Sequence, residues 1–184
     1  MTQKSKREAV TMAMREQLLV NRTGKLTATQ WFDMVIYPAL LVLVVLLPLS
    51  GVVMALALRL TPRLCLIVPF SLLLLLFVLV MRAYHYAHLP VYFATLTLRP
   101  AATPARLFHR PVTFYDEKTG LTLQGKKWLS PRPHLVADQD YIVYYLNDHG
   151  NTIILSLAPA NHPDVEHWQP TEQFQTRLQQ REEL

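Results

Sequence analysis

Apolar residues in this chain are gathered into two long blocks, and the rest alternates. Met34–Leu58 (25 residues) and Leu64–Met81 (18 residues) carry no charged side chain and are parted only by Arg59-Leu60-Thr61-Pro62-Arg63. At 1.5 Å per helical residue, either block can cross a hydrocarbon layer of about 30 Å. The pattern predicts a two-helix transmembrane hairpin, with spans at about 32–58 and 64–86. Thr27-Ala28-Thr29-Gln30 has capping-box spacing just ahead of it. Pro48-Leu49-Ser50-Gly51 predicts a kink, and Gly51 with Ala55 forms a small-xxx-small pair suited to helix packing. Ala55-Leu56-Ala57 fits a signal-cleavage pattern, but the long polar segment before the block and the block's own length favour an uncleaved anchor.

Beyond the blocks the periodicity changes. Val10, Met14 and Leu18 recur every four residues, with Lys4, Lys6, Arg7 and Arg15 elsewhere around the surface. This predicts an amphipathic helix over 4–20, placed in a headgroup layer or left as a solvated tail. Asn21-Arg22-Thr23-Gly24 reads as its terminating turn. Val91–Leu98, Pro111–Asp116, Leu121–Gln124 (with Lys127–Leu129), Tyr141–Leu146 and Thr152–Leu157 read as short strands. Asn147-Asp148-His149-Gly150-Asn151 supplies the clearest hairpin turn. On Tyr141–Leu146, alternation places Tyr141, Val143 and Tyr145 on one face and Ile142, Tyr144 and Leu146 on the other. Both faces are apolar-aromatic, so the strand is predicted to be central in a barrel or covered by a partner. Residues 161–169 read as loop, and Thr171–Glu183 as a short polar helix with Phe174 and Leu178 one turn apart.

The expected fold class is thus an α+β membrane protein, a transmembrane hairpin followed by a small antiparallel β-sheet or barrel domain. Its expected divisions are 1–30 basic and amphipathic, 31–89 hairpin, 90–160 β-domain and 161–184 polar tail or helix. Over residues 34–157 this arrangement is similar to uncharacterised bacterial proteins built of a helical hairpin and a small β-domain. More distantly it resembles NfeD-like proteins, which append a small barrel to membrane helices; architecture alone carries the likeness.

Charge refines the picture. The formal net charge is +5. Residues 1–33 hold six Lys/Arg against three acids, residues 99–132 hold seven against two, and residues 133–184 hold two against eight. A chain so divided does not resemble a nucleic-acid binder, which gathers its cations on one face. Cations near the ends of the spans fit anionic lipid headgroups and favour cytoplasmic N- and C-termini in a multi-pass protein. Trp31, Tyr37, Arg82, Tyr84 and Tyr86 are the expected interfacial residues of the hairpin, and Lys126, Lys127 and Trp128 those of the β-domain.

Candidate chemistry is sparse. Cys65 is the single cysteine, which excludes an intramolecular disulfide. His85 and His88 stand three apart on one helical face, the spacing of two metal or haem ligands, with no neighbouring acid to complete a set. Neither G-x-S-x-G nor H-E-x-x-H occurs, and no Gly-rich phosphate loop. Asp116-Glu117, and Asp138 with Asp140, read as turn formers. The expectation is a non-enzymatic protein without a cofactor. It would be a membrane-anchored β-module acting in binding or scaffolding, or alternatively a small subunit of a larger membrane complex. Its expected partners are the bilayer and a membrane protein or a second copy.

Overall fold

The computed structural model describes residues 10–44, 48, 67–99, 112–116, 120, 122–129 and 135–182. These fall into two compact units, one of residues 1–27 with 89–184 and one of residues 28–88.

The larger unit is a five-stranded barrel. Its strands are β1 (Val91–Arg99), β2 (Val112–Tyr115), β3 (Thr122–Trp128), β4 (Asp140–Asp148) and β5 (Asn151–Pro159). They close in the order β1-β2-β3-β5-β4, with β4 pairing back on β1. All pairings are antiparallel except β3 with β5. This is a Greek-key barrel, an architecture that includes the OB-fold. The expected strands are present, and of the expected sheet or barrel the structure has the closed barrel, with one parallel contact where all were expected antiparallel.

Alternation fills the barrel. Leu96, Leu98, Phe114, Leu123, Tyr141, Val143, Ile154 and Leu157 form a buried cluster, with Trp128, Leu135 and Tyr145 packed against it. Two β-bulges break the period of two. One lies between Gly125 and Lys127 on β3, the other opposite Tyr144 and Tyr145, where β5 carries Leu155 as an extra residue. The bulge at Leu155 is why Ile154 and Leu157, three apart, both face inward. The β4–β5 hairpin turns tightly on His149 and Gly150 (φ 49° and 79°), both left-handed as a type I′ turn requires.

The outer face of β4 and β5 is buried as well. Ile142, Tyr144, Leu146, Ile153, Leu155 and Ala158 have almost no exposed surface. Helix α1 (Met12–Asn21) lies on β5, and its Met14 and Leu18 are fully buried. The helix expected over 4–20 is described from Met12, with Val10 buried just ahead of its N-cap Thr11, and its Met14–Leu18 stripe is occupied by the barrel rather than by headgroups. Burying two such side chains contributes roughly 1.5–3 kcal/mol each. A single turn of 3₁₀ helix (Val165–Trp168) and a C-terminal helix (Glu172–Glu182) follow β5, and both bury an aromatic, Trp168 and Phe174.

The second unit contains a short α-helix, α2 (Ala28–Trp31), which runs into a π-helical turn (Phe32–Ile36), and a helix α3 (Ile67–His88). The C-terminal helix Glu172–Glu182 is therefore α4. The π-turn frees carbonyls from the regular ladder. Arg82 of α3 donates its Nε–H to one of the turn's carbonyls, Met34 O, at 2.7 Å.

Among the described residues no helix is long and apolar enough to cross a membrane. The expected transmembrane hairpin is thus not supported. The multi-pass location with cytoplasmic termini falls with it, as do both membrane functions, the anchored module and the subunit of a membrane complex. α3 has 22 residues, but its last two turns carry Arg82, His85 and His88, so the helix is apolar over only part of its length. Residues 45–47 and 49–66, which include Gly51, Ala55, Cys65 and the connecting arginines, lie outside the described residues.

Candidate functional site

The site with most chemistry lies where the two ends of the larger unit meet. Helix α1 stops at Asn21 because the chain turns through Arg22, Thr23 and Gly24. Backbone N–H groups of Arg22, Thr23 and Gly24 donate to Leu18, Val20 and Asn21 carbonyls at 2.8–3.0 Å. Gly24 has a φ of +76°, and the Phe174 ring packs directly on its α-carbon face. Thr171 donates to Arg22 O through both its backbone N–H (3.1 Å) and its hydroxyl (3.3 Å). Arg177, one and a half turns into α4, donates to Thr23 O at 3.1 Å and to Gln173 O at 3.1 Å. The guanidinium of Arg22 donates to His167 O.

These contacts surround a cleft of about 670 Å³, lined by Arg22, Thr23, Lys25, Thr171, Glu172 and Arg177 among others. Three cations face one carboxylate. Arg22 Nε–H is buried and has no hydrogen-bond acceptor among the described residues. At the start of α4 the Phe174 and Gln175 N–H groups both donate to Thr171 O at 2.9 Å, so the Glu172 and Gln173 N–H groups are the ones left at the positive end of the helix dipole among the described residues.

Next to the cleft, Tyr144 donates its hydroxyl to Trp168 O at 2.6 Å. Burial pushes its phenol well above the ordinary range, and the nearby charge of Arg22 pulls it part of the way back. On the other side His162, almost fully buried, lies against the Trp168 ring at 4.6 Å. Its Nδ1 accepts from Asp164 N–H at 3.1 Å, while the Asp164 carboxylate pairs with Arg15 of α1 at 3.3 Å. Burial lowers the His162 pKa; Asp164 opposes that shift and Arg15 adds to it.

The residues predicted from the sequence are placed elsewhere. Trp31 is half-buried, and Tyr37 and Tyr84 are exposed. Tyr86 is buried, with the Arg82 guanidinium 5.5 Å from its ring. His88 holds Tyr84 O at 2.8 Å through Nδ1 and stacks on the Tyr84 ring at 4.2 Å. His85 meets the Tyr86 ring edge-on at 5.2 Å. Trp128 points into the barrel, 6.2 Å from Phe114, because the bulge at Lys126 rotates it inward. Lys127 is half-buried, and the Lys126 side chain lies outside the described residues. Asp138 and Asp140 do act locally: Asp138 takes a positive φ of 59°, and Asp140 accepts from the Thr97 hydroxyl at 2.7 Å.

No sequence pattern points to the cleft itself. Arg22 and Lys25 are separated from Arg177 by about 150 residues of sequence, and no local motif joins them. The one available signal is the turn Asn21–Gly24 with cations on both sides. Comparison with protein-family models, with curated proteins and with solved structures finds no match.

Proposed function

We propose that the unit of residues 1–27 and 89–184 is a non-enzymatic binding module that accepts an anionic group in the cleft between Lys25 and Arg177. One observation carries this reading: Arg22, Lys25 and Arg177 converge on a concave surface that holds a single carboxylate, Glu172. Such a cleft attracts negative charge and offers charge-assisted hydrogen bonds, the strong class. Binding is favoured over catalysis because the Thr23 and Thr171 hydroxyls already donate to backbone carbonyls. Among the described residues neither is set beside a base, as an activated nucleophile must be.

The reading is tested by calorimetric titration of the full-length protein with inorganic phosphate, against potassium chloride at equal ionic strength. Saturable heat with phosphate, lost in Lys25→Gln together with Arg177→Gln, supports it. Identical traces for the two salts overturn it.

A further inference from the structure

The charge count and the direction of the donors narrow the ligand further. We infer, on the basis of the anion-binding reading above, that the cleft is selective for a dianionic phosphate monoester. The three cations and Glu172 leave the lining with two net positive charges, which matches a phosphoryl dianion and over-compensates a carboxylate or a sulfate ester. A monoanion leaves one positive charge of the lining unbalanced.

Geometry points the same way. Arg22 and Lys25 approach from the turn after α1, Arg177 from the side of α4, and the Glu172 and Gln173 backbone lines the cleft at the end of α4. Donors in three directions suit a tetrahedral group with three terminal oxygens. A planar carboxylate has two oxygens in one plane and leaves one direction unused. Arg177 spends Nε–H and one Nη–H on backbone carbonyls, and a guanidinium has five N–H donors. It therefore keeps donors for a ligand while its position is fixed. Lys25 is exposed at the rim, where it can close over a bound phosphoryl group. Its ester substituent would leave through the open side.

Glu172 gives the inference a directional signature. Its carboxylate lines the cleft and opposes any anion, most of all a dianion. Removing that charge should tighten binding, whereas loss of a merely structural residue would not.

The experiment is calorimetric titration of the full-length protein with phenyl phosphate and with phenyl sulfate, near-isosteric esters carrying two charges and one at pH 8. The expected result is at least about fivefold tighter binding of the phosphate, the upper end for one added exposed ion pair. Glu172→Gln should raise phosphate affinity, and Lys25→Gln should lower it by a similar factor. Lys25→Gln lies on an exposed side chain, so it separates lost contact from lost folding if Arg177→Gln unfolds the clasp. Equal affinity for the two esters overturns the dianion inference and leaves the anion-binding reading standing. Binding of neither ester, with no response to inorganic phosphate, overturns both.

Discussion

Asn21 and Ser156 lie 135 residues apart in the chain and share a hydrogen bond of 2.9 Å with neither side chain exposed to solvent. The Ser156 hydroxyl donates to Asn21 Oδ1, and Asn21 in turn donates from Nδ2 to Lys25 O at 2.9 Å. Asn21 therefore ties three things together: the end of α1, the turn that carries Lys25, and the outer face of β5. Ser156→Ala removes a buried donor and should cost about 1–3 kcal/mol. Asn21→Ala loses both bonds and should cost more. Urea unfolding of the two single variants and the double variant would show a coupling energy; strict additivity would mean that the contact is not formed.

The turn after α1 makes a second prediction, in which two effects separate. A Cβ on Gly24 would sit 2.8 Å from the Phe174 ring in a left-handed conformation, whereas a Cβ on Gly120 (φ +68°) meets none of the described residues within 4 Å. Gly120→Ala should thus cost only backbone strain, about 1–2 kcal/mol. Gly24→Ala adds overpacking of a further 1–3 kcal/mol, roughly. Combining Gly24→Ala with Phe174→Leu should recover part of the second term and none of the first. Thermal melts of the four proteins would decide it, and equal losses at Gly24 and Gly120 would count against the packing of α4 on the turn.

His162 predicts an acid limb. Its folded pKa is lowered, first by burial and then by Arg15, with Asp164 opposing. The neutral ring is also the form whose Nδ1 can accept from Asp164 N–H. A histidine held neutral in the fold leaves stability complete above its unfolded value of about 6.5, and stability falls as pH drops from there toward the lowered folded value. His162→Gln should flatten that limb of a pH series of unfolding midpoints. A midpoint that rises on acidification between about pH 6.5 and 5 would contradict the sign.

How far the sequence reveals this molecule depends on the length scale of each signal. The β4–β5 hairpin, the turn at Asn21–Gly24 and the spacing of Met14 and Leu18 are local, and each is found where the pattern puts it, whereas Val10 precedes the helix. The two faces of β4 are also legible as doubly buried, because Tyr141, Val143 and Tyr145 alternate with Ile142, Tyr144 and Leu146. What covers the outer face is not legible. A stripe of Met and Leu with flanking cations has the same composition whether it meets headgroups or a barrel, and only the fold brings β5 beneath α1. The inward facing of Trp128 is not legible for a different reason. A bulge inserts one residue, reverses the facing of everything after it, and leaves no mark in composition. The cleft is hidden because its cations come from opposite ends of the chain. The membrane hairpin rests on hydropathy alone, which measures aversion to water and does not name the medium that replaces it.

The bulge on β3 supplies the last prediction. Gly125 faces the barrel interior, and a Cβ there would lie 2.5 Å from Ile154 Cδ1 and 3.2 Å from Trp128 Nε1. The strand has no room for a methyl because the inserted residue turns the indole of Trp128 into the space beside it. Gly125→Ala should therefore destabilise by about 1–3 kcal/mol, the usual cost of overpacking a filled core. Ile154→Val removes the clashing Cδ1 and alone costs about 0.5–1.5 kcal/mol. In the double variant the two changes should compensate, so that Gly125→Ala is less costly when combined with Ile154→Val than in the native protein. Denaturant midpoints of the four proteins test this, with Trp128 emission reporting the core directly. If the two costs simply add, Gly125 and Ile154 do not share the space, and the parallel β3–β5 register that juxtaposes them is wrong.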